Sequence, residues 1–162
     1  MNKEVVIQLT GEDFMIATTK GAMRYLVALK QNRSISHGGK SLRKMGQRLS
    51  DGIIGELGEI AVARYTRLPV PPSSSNTMKL ADVGDTIDVR TTEHTNGHLT
   101  LYDNANPNYN FVLVTLDCLT ATIRGWINPK DGKKPEYFRS ADPDCYFVPQ
   151  SALNPIETLP IK

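Results

Sequence analysis

Two periodicities divide the chain. From Glu12 to about Lys30, the residues Ala22, Tyr25, Leu26 and Leu29 recur at helical spacing, and Thr10-Gly-Glu-Asp13 supplies the hydroxyl and acid of a capping pattern. A helix ending near Asn32 is predicted. A second helical region follows from Ser41. Its clearest part runs from Asp51, the predicted N-cap, to about Thr66, with Ile53, Leu57, Ile60, Ala61 and Arg64 on one stripe. Gly52, Gly55 and Gly58 each cost a helix about 1 kcal/mol relative to Ala. Their spacing predicts close approach of another backbone or of a ligand.

Period two takes over after a proline-rich linker, Leu68 to Asn76, that cannot continue a helix. Ala81-Asp-Val-Gly-Asp-Thr-Ile-Asp-Val-Arg-Thr-Thr92 reads as a short strand, a turn at Val83-Gly84-Asp85 and a second strand from Thr86. Alternation puts Ile87, Val89 and Thr91 on one face and Asp88, Arg90 and Thr92 on the other. Phe111-Val-Leu-Val-Thr-Leu116 is nearly continuously apolar and predicts a strand buried on both faces. Ala121-Thr-Ile-Arg-Gly-Trp-Ile127 predicts the next strand. Weaker signals are Val5 to Leu9 (a strand or an arm on the core), His98 to Tyr102, Tyr146-Phe-Val148 and Ser151-Ala-Leu153, with a basic loop from Asn128 to Lys134. The predicted class is α/β in its α+β form, a mixed central sheet flanked by helices. One domain over 1–162 is expected: a basic helical segment 1–50, a core 51–153 and a proline-containing tail 154–162.

Composition adds little to this. At 162 residues, 40% hydrophobic and 22% charged, the chain is long enough to bury a core and has no run near the roughly 18 apolar residues of a membrane span. Glu4 among the first residues argues against a signal peptide, and Cys118 and Cys145 are too few for a disulfide framework. A reduced, cytoplasmic protein with no membrane partner is expected.

Charge changes the picture more. Between Asp13 and Asp51 no acid occurs, while Lys20, Arg24, Lys30, Arg33, Lys40, Arg43, Lys44 and Arg48 contribute eight cations to a chain of net charge +2. Segregated positive charge of this kind raises the potential a polyanion feels. Nucleic acid is the predicted partner, with Arg24, Lys30, Arg33, Lys40, Arg43, Lys44 and Arg48 as its contacts; a solvated helix face is the competing explanation.

The polar face of the 82–92 hairpin is the candidate for chemistry. Magnesium takes oxygen ligands, usually one or two carboxylates with water and a substrate phosphate. Asp82 and Asp88 offer the carboxylates, and Arg90 offers a fixed cation for a phosphate. The same residues also fit a hairpin carrying a cross-strand ion pair on its solvent face. Turn length decides between them. A two-residue Gly84-Asp85 loop pairs Asp82 with Ile87 and turns it away from Asp88, whereas a three-residue loop puts both aspartates on one side. Glu56 and Glu59 on the second helix are further carboxylates, or ordinary exposed glutamates. His94 and His98 lack helical surroundings and a nearby cysteine, so zinc is not favoured.

The order of these parts resembles the PD-(D/E)xK nuclease superfamily, and Gly125-Trp-Ile127 with Tyr146-Phe-Val-Pro-Gln-Ser-Ala-Leu153 is similar to small phage-encoded proteins associated with it. Gly55-Glu-Leu-Gly-Glu-Ile-Ala-Val-Ala63 looks like its first core helix, Asp82 like its isolated aspartate and Asp88-Val89-Arg90 like its (D/E)xK element. The likeness spans roughly Asp51 to Ile127. It implies a restriction-endonuclease-like core and hydrolysis of phosphodiester bonds, with DNA as the expected substrate and Mg2+ or Mn2+ as cofactor. Asp82, Asp88 and Glu59 would be both catalytic and metal-holding, with Glu56 as the substitute for Glu59. Arg90 stands where the family has lysine. Arginine stays charged and holds phosphate well but does not serve as a general base. The resemblance therefore implies either a nuclease or a catalytically inactive protein on the same fold that binds nucleic acid or a host protein.

Overall fold

The computed structural model describes residues 4–30, 44–71 and 80–161. In chain order these form β1 (Val5–Gln8), α1 (Gly11–Lys30), α2 (Met45–Thr66), β2 (Ile87–Thr92), β3 (Leu99–Tyr102), β4 (Asn110–Asp117), β5 (Thr120–Ile127), the short α3 (Pro129–Gly132), β6 (Phe138–Arg139) and β7 (Cys145–Val148). The class is α+β.

The larger sheet has the order β1-β5-β4-β2. Its pairs are antiparallel except β2 with β4, which is parallel, so the sheet is mixed as expected. The weak signal at Val5 is a strand, paired to β5. β4 is buried from Phe111 to Leu116, as its unbroken apolar run requires. Its two faces feed two cores. Val112, Val114 and Leu116 join Leu57, Ala61 and Val62 of α2, while Phe111 and Leu113 join Leu99, Leu101 and Val148 of a second sheet, β3-β7-β6. Among the described residues, the two long helices thus lie on one face. The small sheet covers the other, where the sequence reading did not anticipate a layer.

A bulge makes this division possible. Leu113 pairs with Gly125 and Val114 with Ile123, leaving Arg124 as the extra residue. Ile123 therefore faces the helices while Ile127, of the same parity, faces the small sheet. Gly125 adopts φ +143, and a Cβ there would stand 2.5 Å from the carbonyl oxygen of Asn154, whose backbone bridges Trp126. The Trp126 indole donates to Pro155 O and Thr158 Oγ1. Tryptophan here anchors the C-terminal segment.

α2 corrects the predicted start. It runs unbroken through Gly46 and Gly52 from Met45, so Asp51 is interior and not an N-cap. The reason is helix packing. Gly52 lies against Gly21 of α1, and a Cβ on Gly21 would meet Ile53 N at 3.0 Å. Close backbone approach compensates for the low propensity. Gly58 does the same against β2, where a Cβ would fall 1.9 Å from Thr91 Oγ1. Gly55 meets nothing within 4 Å. The predicted basic loop after β5 holds the one-turn α3, capped by Asn128 accepting from Lys130 N. Most of the predicted linker lies outside the described residues, as do Arg33, Lys40 and Arg43.

Candidate functional site

Turn geometry brings the two aspartates together. Val83 bridges Ile87 with reciprocal backbone hydrogen bonds of 3.0 and 3.3 Å, enclosing the three-residue loop 84–86. The loop has the length that unites Asp82 with Asp88, one residue later than the turn read from the sequence. Asp82 is then opposite Asp88. The Val89 amide donates to Asp82 Oδ2 at 2.8 Å, so Asp82 also satisfies the outer edge of β2, the last strand of the sheet. The Asp88 carboxyl is within hydrogen-bond reach of Asp82.

Asp88 and Arg90 alternate with the core residues Ile87 and Val89 and sit in register with Phe111 and Leu113. The Arg90 guanidinium lies 5.2 Å from the centre of the Phe111 ring, and its Nη1 is 3.5 Å from Asp88 Oδ1. Among the described residues, neither Asp88 Oδ1 nor Arg90 Nε has a hydrogen-bond partner. Burial pushes the Asp88 carboxyl up to about 8; Arg90 opposes this, while Asp82, by charge and hydrogen bond, and Glu59 add to it.

α2 brings the remaining acids from the opposite side. Glu56 is fully buried and Glu59 nearly so. Arg24 of α1 donates to both oxygens of Glu59, Nη1 to Oε1 at 3.0 Å and Nη2 to Oε2 at 3.1 Å. Its Nε lies 2.8 Å from Glu56 Oε1, and Lys20 Nζ lies 3.4 Å from Glu56 Oε2. The angles leave Glu56 with ion pairs and no directed hydrogen bond. Burial pushes Glu59 up to about 8, with the charge of Asp82 adding, the Arg24 fork opposing and Glu56 adding. Glu56, Glu59, Asp82 and Asp88 face Lys20, Arg24 and Arg90. Fully ionised, this set has one negative charge in excess, which a proton or a cation can offset.

Lys20 and Arg24 depart from the expected cationic face. Lys20, Arg24, Gly21 and Ala28 turn toward α2, while Met15, Met23, Leu26 and Leu29 are exposed. The outward side of α1 is therefore apolar, and Arg24 is engaged with carboxylates. Lys30 and Lys44 are exposed, and Arg48 is half-buried on α2. The sequence reading missed the inward role of Lys20 and Arg24. A signal existed: both flank the small residues Ala17, Gly21 and Ala28 at helical spacing, the stripe that packs.

Among the described residues, no three His, Cys, Asp or Glu side chains stand close enough to form a metal-ligand group. Asp82 and Asp88 form a pair, and Glu59 is held to Arg24. His94 and His98 belong to no such group. No helix of the described residues is long and apolar enough to cross a membrane. The chain matches no family model, no curated protein and no solved structure.

Proposed function

We propose that the protein is a divalent-metal-dependent nuclease that hydrolyses phosphodiester bonds in DNA, as its resemblance to PD-(D/E)xK nucleases implies. The observation that carries this reading is the Asp82–Asp88 pair, joined across a three-residue loop beside β2, the last strand of the larger sheet, with Arg90 beside it. Its donor set suits a hard cation. Two carboxylates with water and substrate phosphate are an ordinary magnesium environment, so a third protein ligand is not required. The buried Asp88 Oδ1, without a hydrogen-bond partner, supports the fit.

In this reading Asp82 and Asp88 hold Mg2+ or Mn2+, and Glu59 is the reserve carboxylate. A divalent cation, when bound, supplies charge neutralisation at phosphate and acidification of water. Arg90 stays charged throughout and holds the non-bridging phosphate oxygens, where negative charge builds as the bond breaks. Stacking on Phe111 restricts its fork and favours a fixed phosphate position. Lys30, Lys44 and Arg48 contribute to backbone attraction on the described part of the basic window, which carries no base preference.

The test is incubation of the purified chain with supercoiled and single-stranded DNA, with magnesium, manganese or chelator, beside Asp88→Ala. Metal-dependent cleavage that falls at least about 100-fold in the variant is expected. A second reading, a non-catalytic nucleic-acid- or host-protein-binding protein, draws on one observation: Arg24 occupies both oxygens of Glu59. Salt-sensitive DNA binding without cleavage, unchanged in Asp88→Ala, would favour it.

A further inference from the structure

The Arg24 fork is the contact that most needs a reason. A guanidinium on α1 uses three nitrogens on two buried glutamates of α2, and one of these, Glu59, feels the charge of Asp82. The two halves of the contact are not equivalent. Nε meets Glu56, which is wholly buried and also neutralised by Lys20. The terminal nitrogens meet Glu59, and the Arg24 side chain keeps 39% of its surface exposed. An arginine anchored at Nε, with a side chain that solvent still reaches, can exchange one oxyanion for another without leaving its place. Carboxylate and phosphate oxygens suit the same fork.

Resting on the metal-dependent reading above, we propose that Arg24 is a second phosphate-binding residue held in reserve on Glu59. With the aspartate pair free of cation, the fork neutralises Glu59 and keeps it from Asp82 and Asp88. A divalent cation at that pair draws Glu59 toward it, and the released fork takes a phosphate oxygen of the substrate while Glu56 retains Nε. No bond is made or broken; an ion pair is exchanged. Glu56 is the positioning residue of the device, and Lys20 keeps Glu56 neutralised through both states.

The experiment uses the full chain and Mn2+ alone, with free Mn2+ read by electron paramagnetic resonance. If Arg24 competes for Glu59, Arg24→Gln tightens Mn2+ binding about fivefold or more. The same change made in Glu59→Gln has no such effect, because the contested carboxylate is gone. A through-space charge effect would tighten both backgrounds equally, and that result overturns the proposal. A second readout uses a short DNA duplex with Ca2+ as the cation. Arg24→Gln should weaken DNA binding with Ca2+ present and leave it unchanged with chelator; equal weakening in both overturns the exchange. Arg24→Lys keeps the charge without the fork and gives the same pattern at smaller amplitude should Arg24→Gln not fold. Failure of the aspartate site itself has its own signature, since Mn2+ would then bind neither wild type nor any variant. Mn2+ binding abolished by Asp88→Asn but indifferent to Arg24→Gln would retain the metal site and overturn the Arg24 exchange.

Discussion

Two arginine–carboxylate contacts tie α1 to α2, and they run in opposite directions. At one end Arg64 of α2 donates from Nη2 alone to both oxygens of Asp13 on α1, at 2.7 and 2.9 Å, while its Nη1 donates to Gln8 O at 3.3 Å. At the other, Arg24 of α1 donates to both oxygens of Glu59 on α2. Each joins an arginine to both oxygens of a carboxylate, Arg64 through one nitrogen and Arg24 through two, and the electrostatic outcome is opposite. Burial tends to raise the Asp13 carboxyl, but the Thr10 amide, Arg64 and the Thr10 hydroxyl outweigh it and hold the group below its usual range. Glu59 is pushed up to about 8 by burial, Asp82 and Glu56, and its fork does not overcome them. Arg64 divides its donors between Asp13 and the neutral Gln8 carbonyl; Glu59 shares its arginine with a second glutamate. A contact whose carboxylate is fully satisfied holds two helices together. A fork inside an excess of negative charge is poised to exchange partners.

The comparison breaks most visibly at the satisfied end. Asp13 receives the Thr10 amide at 2.8 Å and returns its own amide to Thr10 Oγ1 at 3.2 Å, a reciprocal cap at the start of α1. Asp13→Ala removes that cap and leaves Arg64 facing a buried gap. Because Arg64 is 43% exposed, solvent recovers part of the loss. A destabilisation of about 2–3 kcal/mol is expected in urea unfolding monitored by circular dichroism. A change under about 0.5 kcal/mol would show that this contact is as replaceable as the other.

A smaller effect is expected where α2 meets β2. Gly58 lets the helix approach closely enough to set Glu59 near the aspartates. Its replacement by Ala gains helix propensity but forces a methyl into Thr91 Oγ1. Net destabilisation of about 1–2 kcal/mol follows, and Thr91→Ala in the same chain should restore most of it by removing the nearest atoms. Additive losses in the double variant would mean that the cost of alanine lies elsewhere than in this contact.

The two ends differ as much in legibility as in energetics. Thr10 to Asp13 was readable, because a cap is a local pattern of hydroxyl and acid three residues apart, and α1 begins there. β4 and β5 were readable through unbroken or alternating apolar runs. The start of α2 was not. Gly46 and Gly52 look like interruptions until Gly21 of α1 is known to pack against Gly52. Arg24 and Glu59 are 35 residues apart, so no local pattern joins them. Arg24 read as one cation among eight, and Glu56 as either an exposed glutamate or a substitute metal ligand, because burial is decided by the partner helix. The small sheet escaped notice because β6 has two residues and the β3 and β7 pair is more than forty residues apart in sequence. Asp82 and Asp88 were legible as a candidate pair. Their turn was misplaced by one residue, since parity and loop length constrain the face without fixing which residue opens the loop.

The sharpest discrimination between the contacts is also the smallest in energy, and it lies in pH. The folded value of Asp13 is depressed, so its contribution to stability is present above about 3.8 and is lost as pH falls through the folded value. The folded value of Glu59 is raised from 4.5 to about 8, so the sign reverses. Its contribution is complete below about 4.5 and is lost as pH rises through about 8. Glu59→Gln cannot ionise and lacks that alkaline loss, although it surrenders part of the Arg24 contact. Near pH 5 the variant should therefore be slightly less stable than wild type, by about 1 kcal/mol or less. Toward pH 9 the difference should shrink and then favour the variant. Asp13→Asn should show the mirror image, close to wild type at pH 3 and increasingly destabilised by pH 6. Urea midpoints at pH 3, 5, 7 and 9 separate the two curves. Parallel stability of Glu59→Gln and wild type from pH 5 to 9 would mean that the Arg24 fork satisfies its carboxylate as fully as Arg64 satisfies Asp13, and the contrast between a structural and an exchangeable pair would not hold.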